Sequence, residues 1–182
     1  MKKLFALATL LGTFAMSSAA SAALFSGSLD PSDPTWGGCG SATPPSCNYD
    51  VVEFSVDASG LYTIDALYPG DTALDENLDG YIYIFEAAFD PAGDGAGALS
   101  FDDDGPSGSN TSQILDVNLT AGTSYFLVIT SFTDVPNSFG QPNGAWEIDI
   151  TGPGNVTAVP LPAAVWLMLS GLVGLAGLRR RR

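Results

Sequence analysis

Residues 80 to 86 read Gly80-Tyr81-Ile82-Tyr83-Ile84-Phe85-Glu86, and their period decides the fold. Tyr81, Tyr83 and Phe85 fall on one face of an extended chain, and Ile82 and Ile84 fall on the other. β-branched and aromatic residues in strict alternation suit a pleated surface, not a helix. The same period appears on both sides of this stretch. Val52, Phe54 and Val56 share a face, and Ile148 and Ile150 follow Trp146 at the same spacing. The candidate strands are Leu24 to Leu29, Asp50 to Val56, Leu61 to Leu67, Tyr81 to Ala87, Ala98 to Phe101, Ser112 to Leu119, Ser124 to Ser131 and Ala145 to Ile150. Segments rich in Gly, Pro, Ser, Asn and Asp separate them, and there is no amphipathic helical window and no internal repeat. Eight short strands of this kind predict an all-β fold, a two-sheet antiparallel sandwich of jelly-roll type.

The charges are segregated. The chain of 182 residues has 20 Asp plus Glu, 6 Lys plus Arg and no His, a formal net charge of −14. All six cations lie at the ends, and between Leu4 and Leu178 there is none. A middle without cations cannot neutralise phosphates, which excludes nucleic acid as a partner. It also lacks the usual general base, the Schiff-base amine and the phosphoryl clamp, so most hydrolase, transferase and kinase chemistry is excluded. An apolar fraction of 46% is too high for a disordered acidic tail and implies a packed core.

The ends read as addresses. Lys2 and Lys3, the apolar run Leu4 to Met16 and the small residues Ala20-Ser21-Ala22 are the three regions of a secretory signal in order, with cleavage expected after Ala22. At the other end Val159-Pro160-Leu161-Pro162-Ala163 is followed by an apolar stretch to Leu178 and then by Arg179, Arg180, Arg181 and Arg182. Residues 163 to 178 would form a membrane helix of about 24 Å at about 1.5 Å per residue. The arginines would hold its end on the cytoplasmic side and leave the acidic domain outside. The expected organisation is a signal peptide over 1–22, an exported β-sandwich over 23–155 and a tail over 156–182.

This tail resembles the PEP-CTERM sorting signal in its V-P-L-P-A variant, with Leu161 where the name-giving pattern has Glu. The resemblance covers about the last 24 residues. It implies that an exosortase-type membrane protease cuts near the proline motif and passes the protein to the cell surface or to extracellular polysaccharide. The membrane is then only a transient partner. The alternative is a plain C-terminal anchor that is never cut. A second resemblance runs from Val51 to Phe132, through Ser59-Gly60-Leu61-Tyr62, Asp102-Asp103-Asp104-Gly105 and Ala121-Gly122-Thr123-Ser124-Tyr125. Their order is similar to bacterial pre-peptidase C-terminal (PPC-like) domains. That resemblance implies a non-catalytic adhesion, targeting or stabilising module, of which some members bind calcium.

Cys39 and Cys47, in a Gly/Pro-rich loop of an exported chain, predict a disulfide. Asp75-Glu76-Asn77-Leu78-Asp79-Gly80 with Glu86 fits the EF-hand loop pattern formally. Its flanks are not helical, however, and on a strand Glu86 would lie about 20 Å from Gly80, too far to ligate. A different site follows if Tyr81 to Ala87 and Ala98 to Phe101 pair antiparallel. Asp75, Asn77 and Asp79 then approach Asp102, Asp103 and Asp104, a set of hard oxygen ligands suited to Ca²⁺. The alternative is a rim of Asx turns and solvated carboxylates.

The expected function is that of a non-enzymatic protein of the cell surface or exopolysaccharide. The rival is a carbohydrate-binding module with stacking platforms drawn from Trp36, Tyr49, Tyr62, Tyr68, Tyr81, Tyr83, Phe139 and Trp146; a carboxylate glycosidase comes third. With both ends removed, the domain carries its acids against no basic side chain, and its charge lies nearer −20 than −14.

Overall fold

The computed structural model of the chain describes residues 21–39, 46–70, 77–86, 88–93, 95–108, 111–136 and 140–159. The strands are β1 (Ser21–Leu29), β2 (Thr35–Trp36), β3 (Cys47–Val56), β4 (Gly60–Leu67), β5 (Gly80–Glu86), β6 (Ser100–Asp102), β7 (Thr111–Leu119), β8 (Ser124–Ser131), β9 (Gly144–Gly152) and β10 (Val156–Ala158). All eight strands expected from the period are present. Two further strands, β2 and β10, are too short to show a period.

The strands form two antiparallel sheets, one in the order β1-β9-β4-β7 and the other in the order β10-β3-β8-β5-β6, with β2 on the flank of β3. From β3 to β10 the chain passes from sheet to sheet at every step except β5 to β6. Most pairs therefore join strands far apart in sequence, and β1 runs the length of β9 from Ser21↔Gly152 to Leu29↔Gly144. Between the sheets lie Phe54, Tyr62, Ile64, Ile82, Ile84, Ile114, Leu119, Tyr125, Leu127, Trp146, Ile148 and Ile150, all buried. They are the inward half of each alternation. The antiparallel β-sandwich read from the sequence is the observed fold.

The larger sheet is covered on its outer face as well. Tyr83, Phe85 and Val128 are buried there with Trp36, and Tyr49, Tyr81, Phe89, Ala98 and Phe126 pack against them. This explains why β5 and β8 are apolar on both faces. The cover is the Gly/Pro-rich segment around β2, whose Trp36 is only 2% exposed. Its ring meets Tyr83 edge-on at 5.0 Å and Phe89 at 5.1 Å, and its Nε1 donates to the Gly93 carbonyl at 2.7 Å. Cys39 and Cys47 form the expected disulfide, Cα to Cα 5.8 Å, and Trp36 lies opposite Cys47 in the β2–β3 ladder. The bridge thus fastens the aromatic cover to the first residue of β3.

The sheet continues past residue 155. β10 pairs with β3 from Val156↔Val56 to Ala158↔Phe54, and the Val159 amide donates to the Glu53 carbonyl at 2.9 Å. The signal-peptide core, Pro160 to Ala163 of the sorting motif, the apolar span and Arg179 to Arg182 lie outside the described residues. Among the described residues no helix is long and apolar enough to cross a membrane.

Candidate functional site

The hairpin on which the acidic site depends is formed. β5 and β6 pair antiparallel with Ile82 opposite Asp102, so the start of β5 and the end of β6 share one end of the sheet. The two acidic loops meet there through a third element. Ser112, at the start of β7 and fully buried, places its hydroxyl 3.0 Å from the Asp103 carbonyl and 3.2 Å from the Gly80 carbonyl. One hydroxyl hydrogen shared between two carbonyls ties the loops together. The same oxygen lies 2.7 Å from the Tyr68 hydroxyl. Tyr68 follows β4, and its ring lies against Gly80 so closely that a Cβ there would sit within 2.0 Å of the ring. Burial pushes the Tyr68 phenol far above its ordinary range, and the nearby Asp102, Asp79 and Asp103 charges push the same way.

The acidic residues divide into two groups. Asn77 and Asp79 are each 4% exposed. Their backbone is fastened by Gln141, whose amide donates to the Asn77 carbonyl at 2.7 Å and whose carbonyl accepts from the Asp79 amide at 3.0 Å. Asp102 and Asp103 are partly buried, and Asp104 is exposed. One oxygen of Asp102 is already committed: Oδ2 accepts the Gln113 amide at 2.7 Å and so joins β6 to β7. Burial raises the Asp102 pKa, the Gln113 amide opposes the shift, and Asp103 and Asp104 add to it. Asp75 lies outside the described residues.

The test of fit to a cation rests on Asn77, whose Oδ1 is buried without a hydrogen-bond partner. An acceptor in that state costs about 1 to 3 kcal/mol unless something fills it. A hard cation among Asp75, Asn77 and Asp79 would do so, and the donor set is all oxygen. Among the described residues alone, no group of three or more Asp, Glu, His or Cys is arranged to hold a metal. The set would therefore need Asp75 together with the Asn77 amide oxygen.

The proposed sugar platforms fare differently. Trp36, Tyr62, Tyr68, Tyr83 and Trp146 are buried, so their rings pack the core and do not face solvent. Trp146 also donates its Nε1 to Asp50 Oδ2 at 2.9 Å. Tyr49 and Tyr81 are half-buried, and Phe139 lies outside the described residues. Among the described residues the most open ring is that of Phe101, at 59% exposure, which the sequence reading does not single out.

Ser112 was also not foreseen. The signal for it was present, because it shares the inward parity of β7 with Ile114, and a hydroxyl on a core-facing position must find a partner.

No family model and no curated protein matches this chain. Among solved structures, that of Aeromonas hydrophila PliG, a periplasmic lysozyme inhibitor of g-type lysozyme, superposes with a TM-score of 0.33 and 15% identity. The match covers 77% of this chain and 88% of that one.

Proposed function

We propose that this chain is a non-enzymatic exported protein, drawn to the membrane by its C-terminal segment and passed on to the cell surface or extracellular polysaccharide. An exosortase-type protease cuts it near Val159-Pro160-Leu161-Pro162. We read the interleaved order β1-β9-β4-β7 over β3-β8-β5-β6 as the paired Greek keys of a jelly roll. The observation that carries the proposal is how close the sheet comes to the sorting motif. β10 ends at Ala158, the Val159 amide is bonded to the sheet, and in the sequence Pro160 and Pro162 follow at once. Proline lacks the amide that would extend the ladder, so neither proline of the motif can donate a further bond of the strand. Mass spectrometry of surface-localised protein tests it: the expected mature form lacks Arg179 to Arg182 and ends near residues 160–163. An intact Arg182 in that material refutes the cut.

Ca²⁺ is the cofactor of this reading, held by Asp75, Asn77 and Asp79 with Asp102, Asp103 and Asp104 beside them. The orphaned Asn77 oxygen supports it. Thermal melts with calcium and with chelator are the test, and equal melting temperatures remove the ion from the account. Polysaccharide is the proposed surrounding of the mature protein. Should binding to extracted polysaccharide be found, Phe101→Ala is the informative variant, because Trp146 is a core residue.

A further inference from the structure

The outer face of the smaller sheet holds a cavity of about 320 Å³, on the opposite sheet from the aromatic cover. Its floor is set by the strand register. Asp65 on β4 lies directly opposite Asp149 on β9, Leu67 lies opposite Glu147, and Leu24 on β1 lies opposite Asp149. Pro106, in the turn closed by the Gly108 amide on the Gly105 carbonyl, also lines it. The lining includes the apolar Leu24, Leu67 and Pro106 and the acidic Asp65, Asp149 and Glu147, beside the neutral polar Ser107, Thr111 and Gln113.

Like charges directly opposite one another on neighbouring strands destabilise a sheet. Here the chain has no cation between Leu4 and Leu178 to offset them. Gln113 Nε2 donates to Asp65 Oδ1 at 2.6 Å, which satisfies one oxygen of that group. Asp149 Oδ1 is buried and has no partner. The χ2 torsion of Asp is soft, so a modest rotation turns that oxygen toward a donor in the cavity. Leu24 is 70% exposed and Leu67 47%, so both offer apolar surface to a ligand.

We propose that this cavity binds a small organic cation, an alkylammonium with its head among Asp65, Asp149 and Glu147 and its stem against Leu24, Leu67 and Pro106. The volume lies at the small end of ligand pockets. Three features select this chemistry. A bare metal ion would leave the apolar wall unused, and these carboxylates do not form a metal-holding group. A sugar would call for a stacking ring, and among the described residues no aromatic side chain lines the cavity. A carboxylate or phosphate ligand would be repelled.

The test is isothermal titration calorimetry on the full chain in a nonionic detergent, with three probes. 1,5-Diaminopentane has charge and stem, 1,5-pentanediol has the stem alone, and magnesium chloride has the charge alone. The expected result is saturable one-to-one binding of the diamine, with no saturable heat from the diol and no displacement of the diamine by magnesium at equal charge concentration. Glu147→Gln, an exposed substitution that leaves the core untouched, should weaken diamine binding about fivefold, as should Asp149→Asn. Displacement by magnesium, equal binding of the diol, or unchanged affinity in both variants overturns the proposal.

Discussion

Replacing Ser112 by Ala removes one oxygen and three contacts. The Tyr68 hydroxyl, 2.7 Å away in a buried site, loses its hydrogen-bond partner, and the Asp103 and Gly80 carbonyls lose the hydrogen they share. An unpaired buried hydroxyl costs about 1 to 3 kcal/mol, and the carbonyls add less because Ser112 gave them one hydrogen between them. The expected loss is about 2 to 3 kcal/mol, or roughly 8 to 12 °C in melting temperature for a domain of this size. The assay is thermal unfolding followed by near-ultraviolet circular dichroism. Tyr68→Phe supplies the control. Made alone it should cost about 1 kcal/mol, and added to Ser112→Ala it should restore part of the loss, because the group left without a partner is then gone. The coupling in that double-mutant cycle should reach about 1 kcal/mol. A Ser112→Ala protein that melts within about 2 °C of the parent, or strictly additive losses, would refute the account of Ser112 as the tie between the acidic loops.

Trp36→Ala should cost about 3 to 5 kcal/mol, the usual range for a fully buried large aromatic, and should open Tyr83 and Phe85 to solvent; dye binding to exposed apolar surface is the readout. Reducing the Cys39–Cys47 bridge releases a loop with a sequence separation of 8, for which chain entropy predicts a loss of about 2.5 kcal/mol, measurable as a lower urea midpoint. Burial pushes Tyr83 far above the ordinary tyrosine range while its hydroxyl donates to the Gly38 carbonyl at 2.6 Å. Its folded pKa exceeds the unfolded one, so its contribution is complete below about pH 10. Above that it is lost by about 1.4 kcal/mol per unit, visible as fewer phenolates in folded than in urea-unfolded protein at pH 11. Asp50 is also raised, first by burial, with the Trp146 bond opposing and the Asp33 and Asp30 charges adding. Stability should therefore rise as pH falls through its folded pKa toward about 4, and Asp50→Asn should flatten that part of the urea-midpoint profile.

The sandwich was legible because its strands are long enough to repeat a period. Val52, Phe54 and Val56 need only three turns of the alternation to declare a face. β2 has two residues and β10 three, and no pattern can show in so few. The aromatic cover was hidden for the same reason, because Trp36 sits in a segment that reads as loop. Which face of β5 is wet was not legible either, since Tyr81, Tyr83 and Phe85 look alike whether they stack on a sugar or under a tryptophan. The pairing of β5 with β6 could be foreseen because the two are neighbours in sequence and form a hairpin. The Tyr68 and Ser112 contact could not, because it spans 44 residues and depends on the return of β7 to the other sheet.

The pairing of β1 with β9 also sets an order of events. Ser21 and Ala22 belong to a strand whose partner, residues 144 to 152, is made near the end of the chain. At about 5 to 20 residues per second, β1 waits on the order of ten seconds after it emerges before its partner β9 is made. A cut after Ala22, the one expected from the sequence, would have that interval before the strand is paired. Once β9 is made, β1 can pair along its whole length and take the edge of the smaller sheet.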